Sequence, residues 1–115
     1  MSLQDFREFR ERMNERILAS GNLDIKRFFA LDSRVYQDGT LPVRTKELLG
    51  LVSSLVLRCD DCVSYHLVRC AEEGVSDAEI LETLSVGLIV GGSIVIPHLR
   101  RAVATLDEIR AAASE

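Results

Sequence analysis

A chain of 115 residues, 47% hydrophobic and with a net charge of −4, holds one domain of ordinary size and is too apolar to be disordered. Its pI is near 5.2, and its basic residues alternate with acids (Arg7-Glu8, Arg10-Glu11-Arg12), so it lacks the basic footprint that nucleic acid or anionic lipid requires. The opening Ser2-Leu3-Gln4-Asp5 has no secretory pattern and the apolar stretch Leu84 to Pro97 is too short for a bilayer, so the expectation is a soluble cytoplasmic protein with no nucleic-acid or membrane partner.

Leu3, Phe6, Phe9 or Arg10, Met13 and Ile17 recur at steps of three and four, which predicts an amphipathic first helix whose apolar stripe is core or subunit contact. Gly21 closes it, and Asn22 or Asp24 can cap a second helix from about Asp24 to Tyr36, with Phe28, Leu31 and Val35 on one side. After the turn Gln37-Asp38-Gly39-Thr40, Pro42 suits the start of a third helix. That helix is apolar nearly all round (Leu48, Leu49, Leu51, Val52, Leu55, Val56) and should be central. Arg58 to Asp61 breaks the pattern, with Asp60-Asp61 as an N-cap pair for a fourth helix that ends at Gly74. Ser76-Asp77-Ala78-Glu79 is a capping box for a fifth, Gly91-Gly92 interrupts, and a sixth begins between Ile94 and Pro97. The expectation is one all-α domain of about six helices over residues 1–115, with no repeat or linker.

The segment Arg58-Cys59-Asp60-Asp61-Cys62-Val63-Ser64-Tyr65-His66 carries the chemistry. At about 100° per residue, Cys59, Cys62, His66 and Cys70 fall on one narrow helix face. Cysteines three apart on a helical turn have Cα atoms about 5 Å apart, within disulfide range. A C-x-x-C pair in a reducing compartment points to redox or metal chemistry rather than a structural staple. The helix N-terminus favours thiolate, and His66, one turn beyond Cys62, can take the thiol proton. Attack on a peroxide would give a sulfenic acid that the second thiol converts to a disulfide. In one straight helix Glu47 would lie about 18 Å from Cys59. A hairpin at the Arg58 break instead brings this carboxylate level with His66, where it would orient the ring. Cys70 reads as core, His98 as a helix-end or packing residue, and Tyr65 as packing, with lining of the site mouth as its alternative.

The pattern Glu47, eleven residues, Cys59-x-x-Cys62-x-x-x-His66 resembles the carboxymuconolactone decarboxylase family, and its AhpD-like alkylhydroperoxidases in particular. So do Leu41-Pro42-Val43-Arg44-Thr45-Lys46-Glu47-Leu48, Ala71-Glu72-Glu73-Gly74 and Gly91-Gly92. The resemblance is strongest over residues 40–105, with 1–39 adding N-terminal helices. It implies an all-helical, AhpD-like fold assembled as trimers or hexamers. It also implies that Cys62 is the attacking thiol, Cys59 the resolving thiol, and His66 and Glu47 a proton relay. AhpD-like members carry His just before the second Cys. Here Asp61 stands there, and its charge opposes thiolate formation.

Two functions follow. The first is a peroxiredoxin-like antioxidant oxidoreductase that reduces hydroperoxides or exchanges disulfides. It would draw on an external thiol or dithiol reductant and need no metal or organic cofactor. The second is a lyase of the same family acting on a small carboxylated lactone, with the cysteines as passengers. A zinc site built on Cys59, Cys62 and His66 would need Glu47 or Asp61 as fourth ligand, and a further alternative is that the two cysteines are buried structural thiols. The apolar third helix and the Leu84 to Ile96 segment exceed what one thin helical layer hides, which predicts a homo-oligomer.

Overall fold

The computed structural model describes residues 2–114 and holds six α-helices, with no strand among those residues. They are α1 (Leu3–Leu18), α2 (Leu23–Val35), α3 (Val43–Val56), α4 (Asp60–Glu72), α5 (Asp77–Gly91) and α6 (Ile96–Ala113). A short 3₁₀ turn, Ser93–Val95, precedes α6. The expected helices are all present, with α2 starting one residue earlier than predicted. No helix of the described residues is long and apolar enough to cross a membrane.

The caps explain the boundaries. Ser2 and Ser76 each close a capping box, with Asp5 and Glu79 respectively, and the Asn22 side chain accepts from the Ile25 N–H. Gly74, at φ +75°, ends α4. Its N–H bonds to the Ala71 carbonyl and that of Val75 to the Cys70 carbonyl, a Schellman closure that buries Val75. Gly92, at φ +80°, stops α5 at the predicted interruption.

The core lies between α3, α4, α5 and α6. Leu51 and Leu55 of α3, Leu67 and Cys70 of α4, and Ile80 and Leu84 of α5 are fully buried, and Ala102, Leu106 and Ile109 of α6 close it. The three- and four-residue spacing on each helix is the apolar stripe that the sequence pattern requires. α3 packs on both α4 and α5, and α4 packs on α6. α3 is therefore central, as expected, although Leu49 faces outward and Leu57, just past its end, is exposed. α1 and α2 are peripheral and bury no residue completely. The Leu3 N–H donates to Glu108 Oε2 at 2.8 Å, tying α1 to α6.

Candidate functional site

The turn between α3 and α4 builds the site. Ser53 and Leu55 carbonyls receive the Leu57 N–H, and Arg58 then adopts φ +59°. The Arg58 N–H bonds to Leu55 O and the Cys59 N–H to Ser54 O, both at 3.0 Å, a second Schellman closure, here with arginine where glycine is usual. The chain therefore reverses just before the dithiol, as the sequence break predicted. Cys59 is itself the N-cap of α4, its Sγ receiving the Cys62 N–H at 3.3 Å. Asp60 and Asp61 are thus first-turn residues rather than caps, a correction.

Cys59 and Cys62 are joined by a disulfide, with Cα atoms 5.3 Å apart. Cys62 is exposed at the first turn of α4 and Cys59 half-buried. One turn further, His66 is only 7% exposed, and its Nδ1 lies 2.8 Å from Oε2 of Glu47, which is 1% exposed. The hairpin thus brings together all four residues singled out in the sequence. A carboxylate only accepts, so Nδ1 carries the hydrogen of this bond and a neutral ring keeps its lone pair on Nε2. Glu47's other oxygen, Oε1, lies 3.5 Å from Arg69 Nε, and Arg69 in turn binds Glu72 and Glu73.

Residues that sequence reasoning missed complete the arrangement. The Tyr36 hydroxyl lies 3.5 Å from His66 Nε2, and the two rings are 5.3 Å apart. Lys46 positions this tyrosine, donating to the carbonyls of Val35 at 2.8 Å and Gln37 at 2.6 Å on either side of it. Gly50 gives both rings room, for a Cβ there would stand 2.5 Å from His66 Cε1 and 2.6 Å from the Tyr36 hydroxyl. The Gly50 signal was available, three residues after Glu47 on the same helix face. Tyr36 had none, since it arrives from another helix. Burial first, then the Glu47 charge, raises the phenol pKa of Tyr36, and the same two causes raise that of Tyr65.

Tyr65 does more than pack. It meets His66 edge-on at 5.0 Å and lines the cleft, with the Arg10 guanidinium 4.2 Å above its ring. The cleft, about 430 Å³, opens onto Cys62 and His66, and its far wall is the apolar stripe of α1: Phe6, Phe9, Met13 and Ile17. From Phe6 onward that stripe is therefore a cleft wall, while Leu3 packs against the core. His98 is also more than a helix end. Its Nδ1 is 2.8 Å from Asp60 Oδ1 while Arg101 reaches Asp60 Oδ2 at 3.2 Å, pinning the dithiol turn to α6. Cys70 is a free, fully buried core thiol, as read from the sequence. Burial, then Glu47, pushes its pKa up to about 12. Among the described residues no three His, Cys, Asp or Glu side chains converge as metal ligands.

A helical hairpin that sets a vicinal cysteine pair beside a buried carboxylate–imidazole pair defines a recognisable class of protein. Residues 25–105 match the model of the carboxymuconolactone decarboxylase family, and the chain belongs to that family. It is 33% identical over 82 residues, 71% of this chain and 74% of its relative, to uncharacterized protein 4 in the cox locus of Paracoccus denitrificans. The crystal structure of TM1620 from Thermotoga maritima superposes with a TM-score of 0.93 at 60% identity, covering 96% of this chain and 97% of the other. An involvement in antioxidative response has been suggested for that protein. The apo form of lpg0406, a family member from Legionella pneumophila, shares the fold at 20% identity, with a TM-score of 0.86 over 93% of this chain and 96% of that one.

Proposed function

We propose that the protein is a thiol-dependent peroxidase that reduces small hydroperoxides through Cys62 and Cys59. The observation that carries this reading is the bonded Cys59–Cys62 pair at the start of α4, with Cys62 sharing that helix and a cleft with His66, whose ring is paired with the buried Glu47 of α3. In the reduced protein Cys62 gives its proton to His66 Nε2, and Glu47 steadies the imidazolium through Nδ1. The Cys62 thiolate attacks the terminal peroxide oxygen. The O–O bond breaks, the departing alkoxide takes the proton from His66, and Cys62 becomes a sulfenic acid. The Cys59 thiol then attacks the Cys62 sulfur, water leaves, and the disulfide forms. An external dithiol returns two electrons and two protons.

The cleft favours a neutral substrate with an apolar portion. Its α1 wall is apolar, and the single cation Arg10 is outnumbered by Asp32 and Asp61. The same charge balance disfavours a carboxylated lactone, the substrate of the alternative lyase reading.

The test is peroxide turnover with a dithiol reductant, together with a thiol count. Each peroxide consumed should remove two thiols in the wild type. Cys62→Ser should be inactive, and His66→Gln should lose about a hundredfold or more in rate, the usual contribution of a positioned base. Turnover that survives in both Cys59→Ser and Cys62→Ser would refute the assignment.

A further inference from the structure

The pairing of His66 Nε2 raises a question that the reaction above leaves open. That nitrogen is the atom that must take the Cys62 proton, yet in the disulfide form its neighbour is the Tyr36 hydroxyl at 3.5 Å. We propose that Tyr36 is a redox-linked cap on the base, its hydroxyl occupying the His66 Nε2 lone pair while Cys59 and Cys62 are bonded and competing with the Cys62 thiol for that lone pair once the disulfide is reduced. The inference rests on the proposed role of His66 as the base for Cys62.

Three observations support it. With Nδ1–H directed to Glu47, Nε2 of a neutral ring is an acceptor, and the hydrogen between the rings then belongs to the phenol. At 3.5 Å the contact is well beyond the usual length for an O–H donor, weak enough to yield to a competing thiol. Gly50 leaves room for the two rings to meet and Lys46 holds the backbone on either side of Tyr36, so that withdrawal of the hydroxyl would need only rotation of its own side chain. The switch is self-consistent in its protons. Reduction of the disulfide yields two thiols. Transfer of the Cys62 proton to Nε2 makes that nitrogen a donor, and the phenol O–H can no longer donate to it. Re-forming the disulfide restores the neutral ring and the cap. Burial and the Glu47 charge keep the phenol in its protonated, donating form. Tyr36 is thus a positioning residue, acting through His66.

The experiment uses the full chain carrying Cys59→Ser, which leaves Cys62 as the one accessible thiol because Cys70 is buried. Alkylation of Cys62 by iodoacetamide at pH 7 is followed by mass spectrometry. Adding Tyr36→Phe should speed alkylation about threefold to tenfold, the worth of one modest hydrogen bond. The gain should vanish when His66→Gln is also present. An unchanged or slower rate in Tyr36→Phe, or a gain that persists without His66, overturns the cap. If His66→Gln alone leaves alkylation untouched, the base assignment itself fails. A slowed His66→Gln with an unaffected Tyr36→Phe removes only the cap. Should Tyr36→Phe not fold, ¹⁵N-histidine NMR of the wild type decides. The His66 Nε2 signal should move from acceptor to protonated character on reduction, and identical signals in both states overturn the proposal.

Discussion

Gly50 separates a structural from a functional account at the level of one residue. In an ordinary helix interior, replacing glycine with alanine stabilises by about 1 kcal/mol. Here the added methyl would meet the imidazole at 2.5 Å and the phenol at 2.6 Å, and both rings must be displaced. Overpacking of this kind costs about 1–3 kcal/mol, which outweighs the propensity gain. Gly50→Ala should therefore lower stability in urea titration and cut peroxide turnover by at least about tenfold, as expected when a base is pushed off its geometry. A stabilised, fully active Gly50→Ala would mean that the rings have more freedom than this packing gives them. The importance of Gly50 could be suspected from its spacing to Glu47, but not established. The phenol that it accommodates comes from α2, and no local pattern links residues 36 and 50.

Among the elements, the α3–α4 hairpin carries the site, and its turn has a measurable cost. Arg58 holds a left-handed backbone at φ +59° with an exposed side chain. A non-glycine residue in that region costs about 1–2 kcal/mol. Arg58→Gly should raise unfolding stability by about 0.5–1 kcal/mol, reduced from that figure by the greater freedom of glycine in the unfolded chain. At equal protein concentration this is a melting-temperature rise of a few degrees, readable by calorimetry. A fall would show that Arg58 contributes through its side chain. The turn was legible because polar residues interrupt an apolar run there, and the fold of α3 to α6 followed from stripe spacing and caps. Three features were not legible. The stripe of α1 has the same three-and-four spacing whether it faces a core or a cleft. Asp60 looks like a cap on paper, and only the approach of α6 turns it into a partner for His98 and Arg101. Cys59 as N-cap depends on the Schellman closure that precedes it.

The whole molecule leaves apolar surface unpaired. Its radius of gyration is 14.7 Å, against about 13 Å for a compact chain of this length. The excess reflects α1 and α2 lying at the periphery. On α2, Phe28, Leu31 and Val35 form an i, i+3, i+7 stripe, with Phe28 69% exposed. On α5, Val86, Ile89 and Val90 form an i, i+3, i+4 stripe, with Ile89 86% exposed. Two exposed apolar stripes on one small chain are more than a soluble monomer ordinarily shows. Burying a side chain of this size is worth about 1.5–3 kcal/mol, so six of them can hold subunits together against the cost of association. We therefore expect a homo-oligomer of closed symmetry. Multi-angle light scattering at micromolar concentration should give a mass several times that of the chain. Ile89→Glu should shift it toward monomer, because the new charge would be buried without a partner. A wild-type monomer at that concentration would refute the assembly. It would also leave α2, which presents Tyr36 to the buried imidazole, held only by its own chain.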